Sequence, residues 1–435
     1  MITLKDPLPK DSLEKIANKM FIPIKNKLCL TCFFVEGSGR RTLINYFLNE
    51  KTIIHKIFGK TYKKTLFIYI NPDQMSNASS DNYLSLILNS INIQIKKLNL
   101  KLPPNLDSTF SSIKVGLELL ITKGYCIIFL LNDFEFLLQF PETIFRNLES
   151  VLAVNKNRVN FLFFSSVNLL ENSILDKLHN FKYAVTQSSY YNELLNQKES
   201  AYIFDSIEEK LSVKIGDNLK KLIYELCGGH AQLLKYCTHI LKENKVGKII
   251  SLAETKLYLL NNHQLKNICF DIWHSLNDFE KEILTKICVS GDIPQSLLPK
   301  SDFLVKTGIV KKSEDNHYVI FGQIFDHFIR SQVPKEKIIY DEKTDRIFFG
   351  GKSCGDKFTL QEFKMFTYFI KNENKVISRD EIGRILWGKN YIDKYSDWSI
   401  DKIISVLRKK LSNIGFSGQK LTTLKRRGFS FSNEI

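Results

Sequence analysis

A glycine-rich turn lies between an apolar run and an amphipathic stretch near the start of the sequence. It reads Gly37-Ser38-Gly39-Arg40-Arg41-Thr42 and follows the apolar run from Leu28 to Val35. Glycines allow backbone N–H groups to approach an anion closely, and the N-terminus of a following helix adds the positive end of its dipole. The turn therefore predicts a phosphate site, with these candidate nucleotide-binding residues: Gly37, Gly39, Arg40, Arg41 and Thr42.

A second polar group stands at the end of another apolar run. Asn132 and Asp133 directly follow the run from Cys126 to Leu131. In a nucleotide site, an acid that handles magnesium would lie at this place. We therefore add Asn132 and Asp133 to the candidate nucleotide-binding residues.

The last part of the sequence is rich in cations. From Lys402 to Asn433 there is no Asp or Glu, whereas Lys and Arg supply eight positive charges. On a helical wheel the aliphatic side chains between 400 and 411 form one stripe. The opposite face carries Trp398, Lys402, Ser405 and Lys409, flanked by Val406 and Arg408.

Such a helix fits the major groove of DNA, and arginines of the hairpin after Thr423 can neutralise phosphates or enter the minor groove. The alternative interpretation is a solvated basic face. Cations on two separate elements without acids favour phosphate neutralisation, so we expect DNA binding.

The composition sets the class of protein. A length of 435 residues predicts about three domains. With 44% hydrophobic and 25% charged residues, the chain is typical of folded protein rather than of a disordered or collagen-like one. A net charge of +16 favours a polyanionic partner. No apolar run reaches the ~18 residues of a membrane span, and no signal-peptide core is present, so we expect a cytoplasmic protein without a membrane partner.

The eight cysteines are scattered and are expected to be free thiols. Cys29 and Cys32 form a CxxC within an apolar run, and without a second pair they predict core packing rather than a zinc or redox site.

The order of apolar runs predicts an α/β domain over residues 1–190, with a parallel sheet covered by helices. Strands are expected at residues 28–35, 66–70, 126–131, 159–164 and 183–185. A helical lid over 191–265 follows, then a small winged helix over 266–333, a polar linker, and an α+β module over 338–435.

The C-terminal module resembles the OmpR/PhoB-type winged-helix effector domain of bacterial response regulators. The resemblance covers about 338 to 433 and is carried by residues 359–363, 376–382, 386–388, 400–401, 405–411 and 428–429. In that family the third helix reads the major groove and the wing contacts the minor groove and backbone. Carried over by position, the DNA-binding residues are Trp398, Lys402, Ser405, Val406, Arg408 and Lys409 on the helix, and Lys425, Arg426 and Arg427 in the wing. Val406 and Trp398 replace arginines that are common in the family.

Residues 20 to 333 resemble AAA+/STAND-type P-loop ATPases with their lid and winged helix. The resemblance is carried by the glycine-rich turn, by the strand end at Asn132, and by the segments 228–234 and 318–321. The family motif is GxxxxGK[ST]. Here Phe34 stands at its first glycine, Arg40 at its lysine and Arg41 at its hydroxyl position, and Asn132 stands at the magnesium-associated aspartate, with Asp133 at the catalytic acid.

These departures predict that hydrolysis is lost or vestigial, because a base without a positioned metal loses the main electrostatic contribution to phosphoryl transfer. Any cofactor would be ATP or ADP without well-held Mg²⁺, with Arg41 in place of the metal's charge. A purely structural relic is the alternative.

The sequence thus predicts a DNA-binding transcriptional regulator whose ATPase-like part is a sensor or oligomerisation platform. Duplex DNA is the expected partner, and a second copy of the chain, RNA polymerase or a signalling protein are further candidates. Two other functions stay open: an active AAA+ ATPase acting on DNA in replication initiation, transposition or defence, and a basic interaction scaffold.

Overall fold

A computed structural model describes residues 6–103, 108–212, 214–243, 251–313, 315, 317–332, 337–388, 396–425 and 427–433. The chain divides into two compact units. The first comprises residues 1–281, 299–311 and 321–324, and the second comprises 282–298, 312–320 and 325–435. Each unit is described by itself.

The first unit is built on a parallel five-stranded sheet with the order β2-β3-β4-β1-β5. Helices precede, connect and follow its strands. In chain order the elements are α1 (Lys10–Lys25), β1 (Leu30–Phe33), α2 (Arg40–Asn49), α3 (Lys51–Phe58), β2 (Thr65–Ile70), α4 (Ser80–Lys97), α5 (Thr109–Thr122), β3 (Cys126–Leu131), α6 (Thr143–Ala153), β4 (Val159–Ser165), α7 (Asn172–Lys177), α8 (Lys182–Val185) and β5 (Ser189–Tyr191).

The central strands are buried along their whole length because helices cover both faces of the sheet. All seven residues of β4 and all four of β1 are buried. Leu30 of β1 pairs with Leu162 of β4, and Thr31 pairs with Ser189 of β5. Since all strands run in one direction, the segments that follow β1, β3 and β4 meet at the carboxyl edge of the sheet. The predicted parallel α/β architecture is confirmed.

The fifth strand is not where the sequence predicted it. Residues 182–185 form α8, and Tyr183 is 69% exposed. The strand is Ser189–Tyr191, whose residues are exposed or half-buried because it lies at an edge of the sheet. The expectation of a continuous apolar run therefore selected the wrong segment.

A set of helices continues the first unit, and its elements are α9 (Gln197–Leu211), α10 (Asp217–Cys227), α11 (Ala231–Glu243), α12 (Leu252–Asn261), α13 (His263–Ser275) and α15 (Asp302–Lys306). Helix α14 (Asp278–Ser290), strand β6 (Val310–Lys312) and helix α16 (Gln323–Gln332) each have residues in both units, and β7 (Tyr318–Ile320) belongs to the second.

Cys29 and Cys32 are both buried in the core of the first unit, as predicted. Burial raises the pKa of the Cys29 thiol to about 11 and raises that of Cys32 as well. Thiols that resist ionisation are poor nucleophiles and poor metal ligands. Among the residues that the structure describes, no group of His, Cys, Asp and Glu could hold a metal ion.

The second unit continues from α16 with two three-stranded sheets and three helices over the described residues from 337 onward. Its elements are β8 (Ile338–Asp341), β9 (Arg346–Phe349), β10 (Lys352–Ser353), α17 (Leu360–Lys371), β11 (Val376–Ile377), α18 (Arg379–Trp387), α19 (Asp397–Asn413), β12 (Leu421–Leu424) and β13 (Gly428–Phe431). A single hydrophobic core joins them, with Phe366, Leu407 and Phe431 fully buried. This is the predicted winged-helix module.

Local sequence fixes where its three helices begin. Thr359, Ser378 and Ser396 each accept a hydrogen bond from the backbone N–H three residues on, and in each case the side chain at that third residue bonds back to the cap. These capping boxes satisfy backbone donors that a helix start leaves unpaired. The far end of the module is tied to its beginning, because the buried amide of Asn433 accepts from the Ile338 N–H and donates to the Ile338 carbonyl, both at 2.9 Å.

Across the described ranges of the chain, every helix is too short or too polar to cross a membrane.

Candidate nucleic-acid interface and phosphate loop

The loop after β1 has the backbone of a phosphate cradle but is already filled by the chain itself. Gly37 and Gly39 have φ of 74° and 103°, values that favour glycine. A Cβ at Gly37 would lie 2.2 Å from the side-chain oxygen of Gln232 and 3.0 Å from the ring of His230. The start of α11 therefore covers the space above Gly37.

His230 joins the start of α11 to the loop after β1. It is fully buried, its Nε2 donates to the Glu36 carbonyl at 2.7 Å, and its Nδ1 accepts from the Leu233 N–H at 3.3 Å. This pair of bonds requires a neutral ring with its proton on Nε2. Burial lowers the pKa of His230 to about 4, in agreement with that state.

Arg40, which the sequence analysis compares with the lysine of the motif GxxxxGK[ST], pairs with acids that follow β3. The residue is buried, and its guanidinium forms ion pairs with Asp133 and, at 3.4 Å, with Glu135. Glu135 also accepts from the hydroxyl and the N–H of Ser166, at 2.7 and 3.0 Å. Arg40 thus holds together the segments that follow β1, β3 and β4.

Arg41 binds acids as well. Its guanidinium contacts Asp133 at 3.1 Å and Asp73 at 2.7 Å, although half of the side chain remains exposed. Thr42 is exposed and is not brought to this cluster. Both arginines therefore form ion pairs with carboxylates of the chain.

Asn132 and Asp133 lie together at the end of β3. Asn132 is buried, and its amide nitrogen donates to Asn71 at 3.2 Å and to Asp133 at 2.6 Å. Burial raises the pKa of the Asp133 carboxyl, while Arg40 and Arg41 oppose that shift. The Asp133 carboxylate accepts from two guanidinium groups and an amide, which fill three of its roughly four lone-pair sites and reduce its capacity to take a proton from water.

These residues do not fit a magnesium ion. Magnesium needs oxygen ligands in near-octahedral geometry, whereas guanidinium groups occupy Asp133 and Asp73 here, and Glu135 pairs with Arg40 and accepts from the Ser166 hydroxyl. The candidate nucleotide-binding residues other than Thr42 are thus brought to one place, and Glu135, His230 and Gln232 are site residues that the sequence analysis missed.

Helix α19 places its predicted DNA-binding residues on one side. Ile400, Ile404, Leu407 and Leu411 are buried in the core of the second unit. At ~100° per residue the opposite side chains fall within an arc of roughly 100°. All of them are exposed: Trp398, Lys402, Ser405, Val406 and Lys409.

This exposed face is not purely cationic. Trp398 is 70% and Val406 37% exposed, and the Lys402 ammonium lies 5.0 Å from the centre of the Trp398 ring. Apolar side chains of this kind can contact thymine methyl groups, and a lysine can contact the acceptors of guanine.

Arg408 differs from its neighbours on α19. It is half-buried, and its guanidinium donates to the Leu421 carbonyl at 2.7 Å and to the Thr423 hydroxyl at 2.8 Å. Arg408 therefore joins the helix to the first strand of the hairpin. These two hydrogen bonds assign it to positioning the hairpin against α19 rather than to contacting a base.

The hairpin between β12 and β13 carries the predicted wing residues. Lys425 and Arg427 are exposed in its turn, and Arg426 lies outside the described residues. The turn is closed by the Arg427 N–H donating to the Leu424 carbonyl at 2.9 Å. Gly428 follows with φ of 127°, and a Cβ there would lie 2.0 Å from the Ile377 carbonyl oxygen.

Three ion pairs hold α19 in place and neutralise the acids on and beside it. Lys410 contacts the buried Glu362 of α17 at 2.6 Å. Burial alone would raise the pKa of Glu362, but hydrogen bonds from Lys410 and from the Thr359 residue lower it below its ordinary value. Arg379 of α18 binds Asp401 at 2.7 Å and lies 3.6 Å from Asp397. Both acids of the helix are thereby paired, a role of Arg379 that spacing along one helix could not reveal.

Comparison with known proteins identifies the C-terminal part. Residues 357–431 match the family model described as "Transcriptional regulatory protein, C terminal". An uncharacterized transcriptional regulatory protein of Bacillus subtilis (strain 168), YvcP, is 30% identical over 74 residues, which are 17% of this chain and 30% of that protein. The chain thus spans less than a third of the relative's length. Residues 357–431 are an OmpR/PhoB-type domain of this family.

Solved structures resemble the larger part of the chain at low identity. A Walker-type ATPase of Pyrococcus abyssi is 12% identical, with a TM-score of 0.47 over 74% of this chain and 96% of that chain. The ORC2 protein of Aeropyrum pernix, in ADPNP–ADP complexes, is 12% identical, with a TM-score of 0.43 over 76% of this chain and 97% of that chain. At these scores neither likeness assigns a function, and the sheet and loop described above define this unit by themselves.

Proposed function

We propose that the chain is a sequence-specific DNA-binding regulator of transcription whose third winged-helix helix, α19, reads a major groove. The observation that supports this most is the exposed face of α19, which presents Lys402 and Lys409 while Arg379 pairs with Asp401. A helix that buries its aliphatics and frees its cations has the form of a recognition helix. Lys425 and Arg427 in the hairpin would then neutralise phosphates.

The test is selection of bound duplexes from a random pool by the full chain, followed by affinity measurements over a range of salt. Binding should give a common site and a slope of about −0.9 in log K against log[salt] per neutralised phosphate. Lys425→Ala and Arg427→Ala should each weaken all duplexes and flatten the slope by about one unit, while Lys402→Ala should change the selected bases. A chain with no salt-dependent duplex affinity would rule this function out.

We infer that the first unit does not hydrolyse nucleotide. Asp133, at the catalytic acid position, is occupied by both arginines, and Asn132 stands beside it without a charge. Phosphoryl transfer depends on a metal that neutralises the developing charge, and the residues here do not fit one. The unit then acts as a sensor or as a platform for a second copy of the chain, and backbone N–H groups and Arg41 are its candidate contacts to ATP or ADP.

Measured ATP turnover by the full chain, with Mg²⁺ and with EDTA, tests this inference. No turnover above background is expected in either condition. Mg²⁺-dependent turnover that is lost in Asp133→Ala would overturn it, and stimulation of that turnover by DNA would instead favour an active ATPase acting on DNA.

A further inference from the structure

A band of cations lies along the amino-terminal edge of the five-stranded sheet. The segments that lead into its strands are residues 25–29, 59–64, 123–125, 155–158 and 186–188. They contain no Asp or Glu. Their eight cations, which we refer to as the amino-edge cluster, are Lys25, Lys27, Lys60, Lys63, Lys64, Lys123, Lys156 and Arg158.

Contacts of these segments with one another and with the first residues of β3 show that they adjoin one another. The Lys64 ammonium donates to the Lys123 carbonyl at 3.1 Å, and the Ile127 N–H donates to the Arg158 carbonyl at 2.6 Å. The Lys27 ammonium lies 3.7 Å from the Cys126 sulfur. Parallel strands begin at one edge with a spacing of ~4.8 Å, so the cluster is a continuous surface and not a set of unrelated lysines.

The cluster is open to solvent and is not neutralised. Seven of its side chains are exposed and Arg158 is half-buried. None of the eight forms an ion pair with a residue in the described part of the chain. The opposite edge differs, because the segments that follow the strands, residues 34–39, 71–74, 132–135, 166–171 and 192–196, carry six acids and no Lys or Arg.

Like charges held close together without acids produce a positive potential that attracts a polyanion. We propose that the amino-edge cluster binds the phosphate backbone of duplex DNA without regard to sequence, as a second contact of a chain whose winged helix selects the site. The choice of DNA rests on the proposed function, since a tethered second contact raises the effective concentration of the first. Lysine ammonium groups suit this role because they contact phosphates as point charges and read no base.

The variant Lys60→Glu/Lys63→Glu/Lys156→Glu tests the proposal in the full chain. These three side chains are exposed, so the substitutions should leave the fold intact. The matched control is Lys15→Glu/Lys177→Glu/Lys221→Glu, three exposed lysines on helices of the same unit. Thermal unfolding of both triple variants verifies that they fold.

Affinity is measured for two duplexes that contain the same selected site, one of about 20 and one of about 80 base pairs. On the long duplex the edge variant should bind at least tenfold more weakly than wild type, with a salt slope flatter by about three units. The control variant should stay within twofold of wild type. On the short duplex the affinities of the edge variant and wild type should differ less, because that duplex has few phosphates beyond the selected site.

A second arm separates the two surfaces. Lys402→Glu/Lys409→Glu should lose site preference but keep weak, sequence-independent affinity for the long duplex, and adding the edge substitutions should remove that remainder. Equal binding by edge and control variants would overturn the amino-edge proposal and leave the proposed function standing. No duplex affinity in wild type would instead end the proposed function. If the edge variant loses binding to phosphatidylserine vesicles that wild type shows, and its DNA affinity is unchanged, the cluster contacts a membrane surface. That result would reject duplex DNA as the partner of the cluster.

Discussion

The start of α2 and the outer face of α19 both carry basic residues, but those of α2 are paired with acids and those of α19 face solvent. Arg40 and Arg41 lie where a phosphate loop meets its helix, and Asp133, Asp73 and Glu135 take up their charges. Lys402 and Lys409 lie on a helix whose own acids are paired elsewhere, and their charges face solvent.

The difference shows that a basic residue type does not by itself define an anion site. What decides is whether the fold brings carboxylates to the cation. Where it does, the cation becomes part of the fold, and removing it leaves its acids without a partner. Where it does not, the cation is available to a partner, and its removal should affect binding and leave stability unchanged.

The largest effect should come from Arg40→Ala. It leaves Asp133 and Glu135 without their buried partner, and breaking a buried ion pair costs about 3 to 5 kcal/mol. The measurement is the free energy of unfolding in urea. Arg41→Ala is the matched control, because that side chain is half-exposed and should cost no more than about 1 kcal/mol. Equal losses of unfolding free energy in the two variants would show that the burial of Arg40 adds nothing to the strength of its ion pairs.

The next effect concerns His230 and pH. Its folded pKa of about 4 lies below the ordinary value of 6.5, so the unfolded chain binds the proton first as pH falls. Stability should therefore be complete above pH 6.5 and decline by about 3 kcal/mol as pH falls to about 4. His230→Gln, which can still donate to the Glu36 carbonyl, should lack this part of the decline in urea titrations. An unchanged pH profile in that variant would show that the ring is not held neutral, and His263→Gln serves as the exposed control.

Lys402→Glu/Lys409→Glu should lower affinity for the selected duplex by about 100-fold, since each base or phosphate contact is worth roughly 1 to 3 kcal/mol. The free energy of unfolding should not change, in contrast with Arg40→Ala. Lys352→Glu/Lys364→Glu, exposed lysines of the same module, are the control for general charge effects. If both pairs weaken binding equally, the face of α19 has no special role.

The smallest effect should identify what Trp398 contacts. If the exposed ring meets a thymine methyl group, replacing thymine by uracil throughout the selected duplex removes about 0.8 kcal/mol, or about fourfold in affinity. Trp398→Ala should bind both duplexes alike. A uracil effect of the same size in Trp398→Ala would place the methyl contact on another residue.

Local patterns predicted most of the architecture. The apolar runs give four of the five strands of the parallel sheet within two residues at each end. The fifth strand was not predicted because an edge strand with an exposed serine and two half-buried tyrosines lacks a continuous apolar run. The partners of Arg40 and Arg379 could not be predicted, since each pair joins segments that only the tertiary fold brings together.

The clasp that Asn433 makes with Ile338 bears on how the regulatory module can be excised. The family match spans residues 357–431, and a fragment that keeps Ile338 but ends at 431 would leave the buried N–H and carbonyl of Ile338 without partners. Each buried polar group without a partner costs about 1 to 3 kcal/mol, which is a large share of the free energy of unfolding of a small domain. Two residues beyond the recognisable domain thus decide whether its first strand stays in the sheet.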